Sequence, residues 1–312
     1  MKEPTVTIVV PTYKRLHYLQ EALPSALRQT YRDFEVIVSD DGASKEIADY
    51  VASLSDPRIR YRGNVCNMGI AMNNFSAFAE ARGKYIASLH DDDLWEPDFL
   101  ETLVPLLEAD ETVTVAFCDH HIIDDNGRFL IDHTEENTRF YGRHLLTPGR
   151  HQPFLKAVAV DLTIPMVMAA VFRKSILAGA DFSPRVGGCY DHWLAYLAVG
   201  KGQAGYYVPR RLTRYRVHSG SGTASQAIRN YRNAIYVRKR LLQDDNLSAY
   251  RSGIRNGIGV IYGKMALYFL SRNSTYRARV LFKQAFRFLN RPKNMVALAV
   301  NGVKIWIRKN PN

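Results

Sequence analysis

Alternating strand-type and helix-type segments predict an α/β fold: a mostly parallel sheet flanked by helices, followed by a basic C-terminal helical region. Three observations carry this. Apolar, β-branched runs such as TVTIVV at 5–10 read as strands covered on both faces. Longer segments with helical spacing separate them, the pattern of parallel strands joined by crossover helices. Charge is uneven: residues 1–223 carry 24 Lys+Arg and 28 Asp+Glu, and residues 224–312 carry 18 and 2.

In order, the first strand is expected to end at Pro11, and a helix to follow over 16–30 with Pro24 inside it. FEVIVSDDG reads as a second strand entering an acidic turn, KEIADYVASL as a helix, and RIRYR as a short third strand. GIAMNNFSAFAEARG reads as a helix closed by Gly83 as its cap. KYIASL is a fourth strand, PDFLETLVPLLEA a helix and TVTVAFCD a further strand. HHIIDDNGRFLID predicts a hairpin turning at Asn126-Gly127, and the remainder to Pro165 reads as loops and a short helix. MVMAAVFRKSIL reads as an edge strand and DHWLAYLAVG as a helix. Beyond Ser225 the pattern is helical almost throughout, with Ile254, Ile258, Ile261 and Met265 on one face and Leu281, Ala285, Phe288 and Leu289 on another.

The chain has 312 residues, 46% hydrophobic and 23% charged, an ordinary balance for a folded protein. The start, MKEPTVTIVV, lacks the apolar core and cleavage site of a signal peptide. No apolar run is long enough to span a bilayer. Cys66, Cys118 and Cys189 form no CxxC pair, which fits a reducing cytoplasm and small buried or half-buried apolar roles.

The acidic clusters raise the functional question. Asp40-Asp41 and Asp91-Asp92-Asp93 each follow a predicted strand. In open parallel sheets ligands sit at the carboxyl ends of strands, so the two clusters are expected to face one cleft. Converging carboxylates are hard-oxygen ligands suited to Mg²⁺ or Mn²⁺. A solvated acidic turn that caps the next helix would carry the same letters. Neither G-x-x-x-x-G-K-[ST] nor G-x-G-x-x-G follows the first strand, which excludes a P-loop ATPase and a dinucleotide-binding dehydrogenase.

Residues 5–223 resemble glycosyltransferase family 2, inverting enzymes of the GT-A fold that use nucleotide-diphosphate sugars. Four motifs carry the resemblance: VVPTYKR at 9–15, VIVSDDGAS at 36–44, NMGIAMNN at 67–74 and KYIASLHDDDLWEPDFLE at 84–101. It implies that Pro11, Thr12 and Tyr13 line a nucleobase pocket, with Arg15 nearby. Asp40 and Asp41 would meet the pyrimidine and the ribose. Asn67, Gly69 and Asn73 would belong to the segment that closes over the nucleotide. The family usually reads Asp-x-Asp-Asp at the fourth strand; here His90 takes the first place, Asp91 is a candidate donor contact, and Asp92 and Asp93 are metal ligands.

The family's base is often the aspartate of a Glu-Asp pair about a hundred residues later. In GGCYDHWLAYLAV at 187–199 Asp191 matches it and Tyr190 replaces the glutamate. The segment YRVHSGSGTAS at 215–225 matches the end of the catalytic domain, so Arg216 is expected at the diphosphate and His218 at the metal, with the glycine- and serine-rich stretch as a lid. The acceptor is expected across 120–190, with Met166, Met168 and Trp193 either lining it or serving as ordinary core.

The expected division is a catalytic domain over 1–223 (a nucleotide-sugar half, 1–119, and an acceptor half, 120–223) and a basic helical region over 224–312. The tail's Lys and Arg interleaved with aromatics suit a membrane surface or a basic helical bundle better than nucleic acid, and no nucleic-acid partner is expected. The implied protein is a Mn²⁺- or Mg²⁺-dependent glycosyltransferase, cytoplasmic and peripheral at the inner membrane face. It would move a sugar from a UDP- or dTDP-sugar to a glycan or lipid-diphosphate-linked acceptor in cell-surface polysaccharide synthesis, capsule or O-antigen. The rivals are a sugar nucleotidyltransferase, which would need a glycine-rich loop after the first strand, and a non-catalytic sugar-nucleotide or polyanion-binding protein.

Overall fold

A computed structural model describes residues 3–164, 166–220 and 226–289, together with 296, 298 and 300. The chain forms two compact units, Met1–Ala224 and Ser225–Asn312.

The first unit is built on one sheet. Its strands are β1 (Val6–Thr12), β2 (Phe34–Asp40), β3 (Ile59–Gly63), β4 (Tyr85–Ser88), β5 (Leu94–Trp95), β6 (Val113–Ile123), β7 (Gly149–His151), β8 (Ala170–Arg173) and β9 (Ala204–Arg216). The order is β3-β2-β1-β4-β8-β6-β9-β5, with β7 pairing β9. Strands β3, β2, β1 and β4 are parallel neighbours, and β6 runs parallel to β9; β8 is antiparallel to both β4 and β6. The helices are α1 (Leu16–Leu27), α2 (Lys45–Ser53), α3 (Ile70–Ala79), α4 (Phe99–Ala109), α5 (Ile131–Phe140) and α6 (Tyr190–Val199). Every residue of β1, β2 and β4 is buried, as strands covered on both faces must be.

Several expectations are corrected. Pro11 does not end β1, which runs to Thr12. β4 pairs β1 only as far as Val9, so Pro11 lies where no ladder partner remains on that side and its missing N–H costs nothing. Helix α1 stops at Leu27 and contains Pro24. Gly83 caps no helix, because α3 ends at Ala79. It is glycine because a Cβ there would stand 2.5 Å from the Thr7 nitrogen and 2.7 Å from the Val6 carbonyl carbon. The expected edge strand, β8, is central. The turn at Asn126-Gly127 exists, with the Asp124 carboxylate accepting from Asn126 and Arg128 N–H, but the returning arm is a single bridge at Phe129 before the chain enters α5. Cys66 is exposed, Cys118 buried and Cys189 half-buried, and none of the three forms a disulfide.

The second unit contains α7 (Ala227–Leu241), α8 (Arg251–Leu270) and α9 (Thr275–Phe288). Ile254, Ile258, Ile261 and Met265 of α8 are buried, as are Ala285 and Leu289. The basic stretch NGVKIWIRKN lies outside the described residues. No described helix is long and apolar enough to cross a membrane.

Candidate functional site

The carboxyl ends of β1, β2 and β4 bring the acidic clusters to one end of the sheet. The chain turns sharply after β4, with the Asp93 N–H donating to the His90 carbonyl at 3.2 Å. This turn aims the three aspartates at different partners. Asp91 is buried and accepts from Thr12 Oγ1 at 2.8 Å. Burial, then the neighbouring Asp92 charge, raises its pKa. Asp92 Oδ2 accepts from Arg15 Nη1 at 2.8 Å and lies 3.1 Å from His218 Nε2. Asp93 is fully buried, and its Oδ1 accepts from the Arg216 N–H at 2.9 Å.

The other Asp93 oxygen decides what the cluster can hold. His90 Nδ1 stands 3.2 Å from Asp93 Oδ2, yet outside hydrogen-bond geometry, so this buried oxygen has no hydrogen-bond donor. The nearest positive partner of that oxygen is His90 itself, whose imidazole this contact favours in its charged form; a divalent cation would take over that role. Ligand atoms of His90, Asp92 and Asp93 lie within 4.8 Å of one another, so the residues present fit a divalent cation. Burial lowers the His90 pKa, but contact with Asp93 more than offsets it and pushes it up to about 9. On the far side His90 Nε2 meets the Tyr190 hydroxyl.

Asp191, in the first turn of α6, is within electrostatic reach of His90 and Asp93. Its Oδ1 is buried with no hydrogen-bond partner. Burial raises its pKa to about 6, opposed by His90. A carboxylate tuned upward towards neutrality suits proton abstraction.

The acidic pair after β2 is held by the chain's own donors. Asp40 accepts from the N–H groups of Gly42 (2.9 Å) and Ser44 (2.7 Å) and from the Tyr61 hydroxyl (3.0 Å). Asp41 accepts from the N–H groups of Met68 and Gly69 and from Asn64 Nδ2, each at 2.8 Å. Asp41 thereby fixes the 64–69 loop against β2, and Gly69, at φ 78°, opens α3. Exposed Asn67 leans on the Gly69 N–H at 3.1 Å. The Tyr13 ring is half-exposed and stands over Gly42, where a Cβ would approach it to 3.2 Å.

Some expected residues are not free at the cleft. Asn73 is buried, donating to the Ser39 carbonyl and accepting from Ser39 Oγ and Asn64. Arg216 spends its guanidinium on the carbonyls of Asp92 and Asp125 and on Glu21. It holds the turn rather than reaching out of it. Arg15 ties the Asp91–Asp92 pair to the Gly220 carbonyl at 2.7 Å. The expected lid extends beyond Gly220 into residues outside those described. Met168 and Trp193 are buried core, with Trp193 Nε1 donating to the Asp181 carbonyl. Two residues of the cluster had no assigned role from sequence: His90 and its partner Tyr190. Both stand where the chain departs from the expected motifs, and that shared departure was the available signal.

The model of the family described as Glycosyl transferase family 2 matches residues 7–177, more than half of the chain. A glycosyltransferase of Rickettsia typhi is 27% identical over 221 residues, 70% of this chain and 66% of that protein. The putative colanic acid biosynthesis glycosyl transferase WcaA of Escherichia coli K12 is 36% identical over 116 residues, 36% of this chain and 41% of that protein. The chain thus spans at most about two thirds of these relatives' own length. Among solved structures, Staphylococcus aureus TarS in complex with UDP-GlcNAc superposes with a TM-score of 0.68 at 15% identity, covering 97% of this chain and 89% of that one. The mannosyltransferase PcManGT of Pyrobaculum calidifontis, in complex with GDP-Man and Mn²⁺, gives 0.59 at 18%, covering 99% and 89%.

Proposed function

Because this chain belongs to glycosyl transferase family 2, and is a glycosyltransferase of the GT-A fold, we propose that it carries out metal-dependent, inverting sugar transfer with Asp191 as the base. The observation that carries this is the unpaired, buried Asp191 Oδ1 beside the His90–Asp92–Asp93 cluster. In the step, an acceptor hydroxyl oxygen bonds to the anomeric carbon from the face opposite the diphosphate. Its proton passes to Asp191, and the carbon–oxygen bond to the diphosphate breaks with its electron pair on the leaving group. A divalent cation, Mn²⁺ or Mg²⁺, held by Asp92 and Asp93 would supply the positive charge that the departing diphosphate needs. Arg15 and His218, both on Asp92 Oδ2, orient that carboxylate. Thr12 holds Asp91, and Asp41 keeps the 64–69 loop in place beside the nucleotide.

The donor in this reading is a UDP- or dTDP-sugar, supported by neighbours that bind UDP-GlcNAc and GDP-Man. The acceptor is a glycan or lipid-diphosphate-linked glycan in cell-surface polysaccharide synthesis, supported by the similarity to WcaA and, at 31% identity over 129 residues, to Pasteurella multocida chondroitin synthase. Residues 1–223 form the catalytic domain and 224–312 a basic region that meets the inner face of the cell membrane. Helix α9 supports that contact: exposed Tyr276, Val280 and Phe286 stand among Arg277, Arg279, Lys283 and Arg287, and no acidic residue follows Asp245. The test is turnover of UDP- and dTDP-sugars with Mn²⁺, with the product anomer read by NMR. Retained anomeric configuration, or full activity in Asp191→Asn, overturns the assignment.

A further inference from the structure

We propose that the cavity between β6, β9 and the start of α4, about 630 Å³, is a second glycan site, which holds an inner sugar of the acceptor chain away from the end that receives the new one. The inference rests on the glycan acceptor of the proposed function. The cavity originates in an irregularity of the sheet. Val208 pairs Cys118, Arg211 pairs Asp119 and Thr213 pairs His120, so β9 carries Pro209 and Arg210 as extra residues on one side of Asp119 and Leu212 on the other. All three line the cavity. Bulges of this kind open a ladder and re-aim side chains.

The wall is held in place by buried charge. Asp119 lines the cavity, and both of its oxygens are fixed: Oδ1 accepts from Arg143 Nε at 2.6 Å and Oδ2 from the Tyr207 hydroxyl at 2.9 Å. Arg143 is 1% exposed. A buried ion pair adds little stability over apolar packing, so its place in the wall of a polar cavity points to a use. It presents a carboxylate of fixed position whose oxygens can each accept once more. Glu96 is held likewise, accepting from Arg214 at 2.6 and 3.1 Å, while its N–H donates to the Leu212 carbonyl at 2.9 Å.

The lining selects the ligand. A metal ion does not fit: the Glu96, Asp98 and Asp119 carboxylates each face an arginine, and among the described residues only His90, Asp92 and Asp93 gather tightly enough for one. A free anion would meet three carboxylates, and Arg210 and Arg211 are engaged with Asp98 and Glu135. An apolar molecule would strand these charges. A neutral molecule rich in hydroxyls suits the mixture of acceptors and donors, because each hydroxyl does both. Burial, then Arg211, lowers the pKa of His121, another lining residue, so its neutral ring offers one donor and one acceptor. The exposed Phe129 ring, with its centroid 4.8 Å from that of His121, adds an apolar face for the C–H side of a sugar. Leu212 stands four residues before Arg216, whose N–H meets Asp93, so roughly 13 Å of β9 separates the cavity from the metal cluster, within reach of one glycan chain.

The test is NMR of the full chain carrying ¹³C-labelled histidine, following the His121 ring signal, which is assigned by its loss in His121→Gln. The probes are tetrasaccharides of glucose, mannose, galactose and N-acetylglucosamine, with inorganic phosphate and MgCl₂ beside them. At least one tetrasaccharide should shift the His121 signal saturably, and phosphate and MgCl₂ should not. Asp119→Asn should weaken that binding about tenfold, through loss of a charge-assisted acceptor. Should it fail to fold, half-exposed Asp98 decides: Asp98→Ala should weaken binding about threefold. No shift with any tetrasaccharide, a shift produced by phosphate instead, or affinity unchanged in the variants overturns the inference. Binding of UDP, dTDP or GDP with Mn²⁺ by the same preparation then leaves the transferase reading standing. Sugar binding at His121 in a chain that binds none of those nucleotides upholds the cavity site and sinks that reading.

Discussion

Replacing Asp41 by Asn separates loop ordering from folding. In the wild type one carboxylate oxygen accepts from the Met68 N–H and Asn64 Nδ2, and the other from the Gly69 N–H, all at 2.8 Å. An amide has a single accepting oxygen, and its NH₂ would confront an N–H at the other end. One or two charge-assisted hydrogen bonds are therefore lost, each contributing about 1.5–3 kcal/mol, a span of about 1.5–6 kcal/mol whose middle, about 2–4 kcal/mol, is the expected loss. The Met68 and Gly69 amides belong to the loop and helix start rather than to the sheet, so the loss should appear as local opening. At about 1.4 kcal/mol per tenfold, hydrogen exchange at these two amides should speed up about 30- to 1,000-fold, with far smaller changes in the β1 and β2 amides. Nucleotide affinity should fall in parallel. Equal exchange at Met68 and Gly69 in wild type and Asp41→Asn would refute the claim that this carboxylate holds the loop.

Glu35 is buried under Thr7, Arg82 and Arg60; burial raises its pKa, but their hydrogen bonds prevail and lower it from 4.5 to about 2. Its stabilisation of about 2–3 kcal/mol is present above pH 4.5 and lost as pH falls towards 2, so Glu35→Gln should destabilise at pH 7 and hardly at all near pH 2 in urea melts. A constant difference across that range would sink the linkage. Gly83→Ala forces a methyl into the Thr7 backbone and should cost about 3 kcal/mol, read as a lowered denaturation midpoint; an unchanged midpoint would contradict the close approach. The α9 surface predicts salt-sensitive sedimentation with phosphatidylglycerol vesicles, weakened by Arg279→Glu with Lys283→Glu. Equal binding to neutral vesicles would reject the electrostatic contact.

What was legible in the sequence depended on the locality of the cause. β1, β2 and β4 are covered on both faces, so their apolar runs are continuous and their carboxyl-end acids stand out. β9 drew no strand expectation because Pro209, Arg210 and Arg211 interrupt it where its register with β6 shifts. β8, only four residues long, reads as an edge although it lies at the centre. Helix α5 is polar, with only Thr134 and Thr138 buried, so no apolar stripe announces it. In the site, the DDD run and Asp191 could be read from motif order. The partners of Asp40 and Asp41 could not, because they are backbone N–H groups and side chains from loops whose path only the fold sets. The His90–Tyr190 contact was hidden for the same reason: each residue looks like an isolated substitution until β4 and α6 meet.

The central claim is that carboxylates at the end of β4 hold a cation which in turn holds a nucleoside diphosphate. Calorimetric titration of the full chain with UDP, dTDP and GDP tests it most directly, each with Mn²⁺ and with EDTA. Binding of at least one nucleotide should need Mn²⁺ and be lost in Asp92→Asn while the melting temperature holds. Binding that is equally tight in EDTA, or unchanged in Asp92→Asn, would contradict the account.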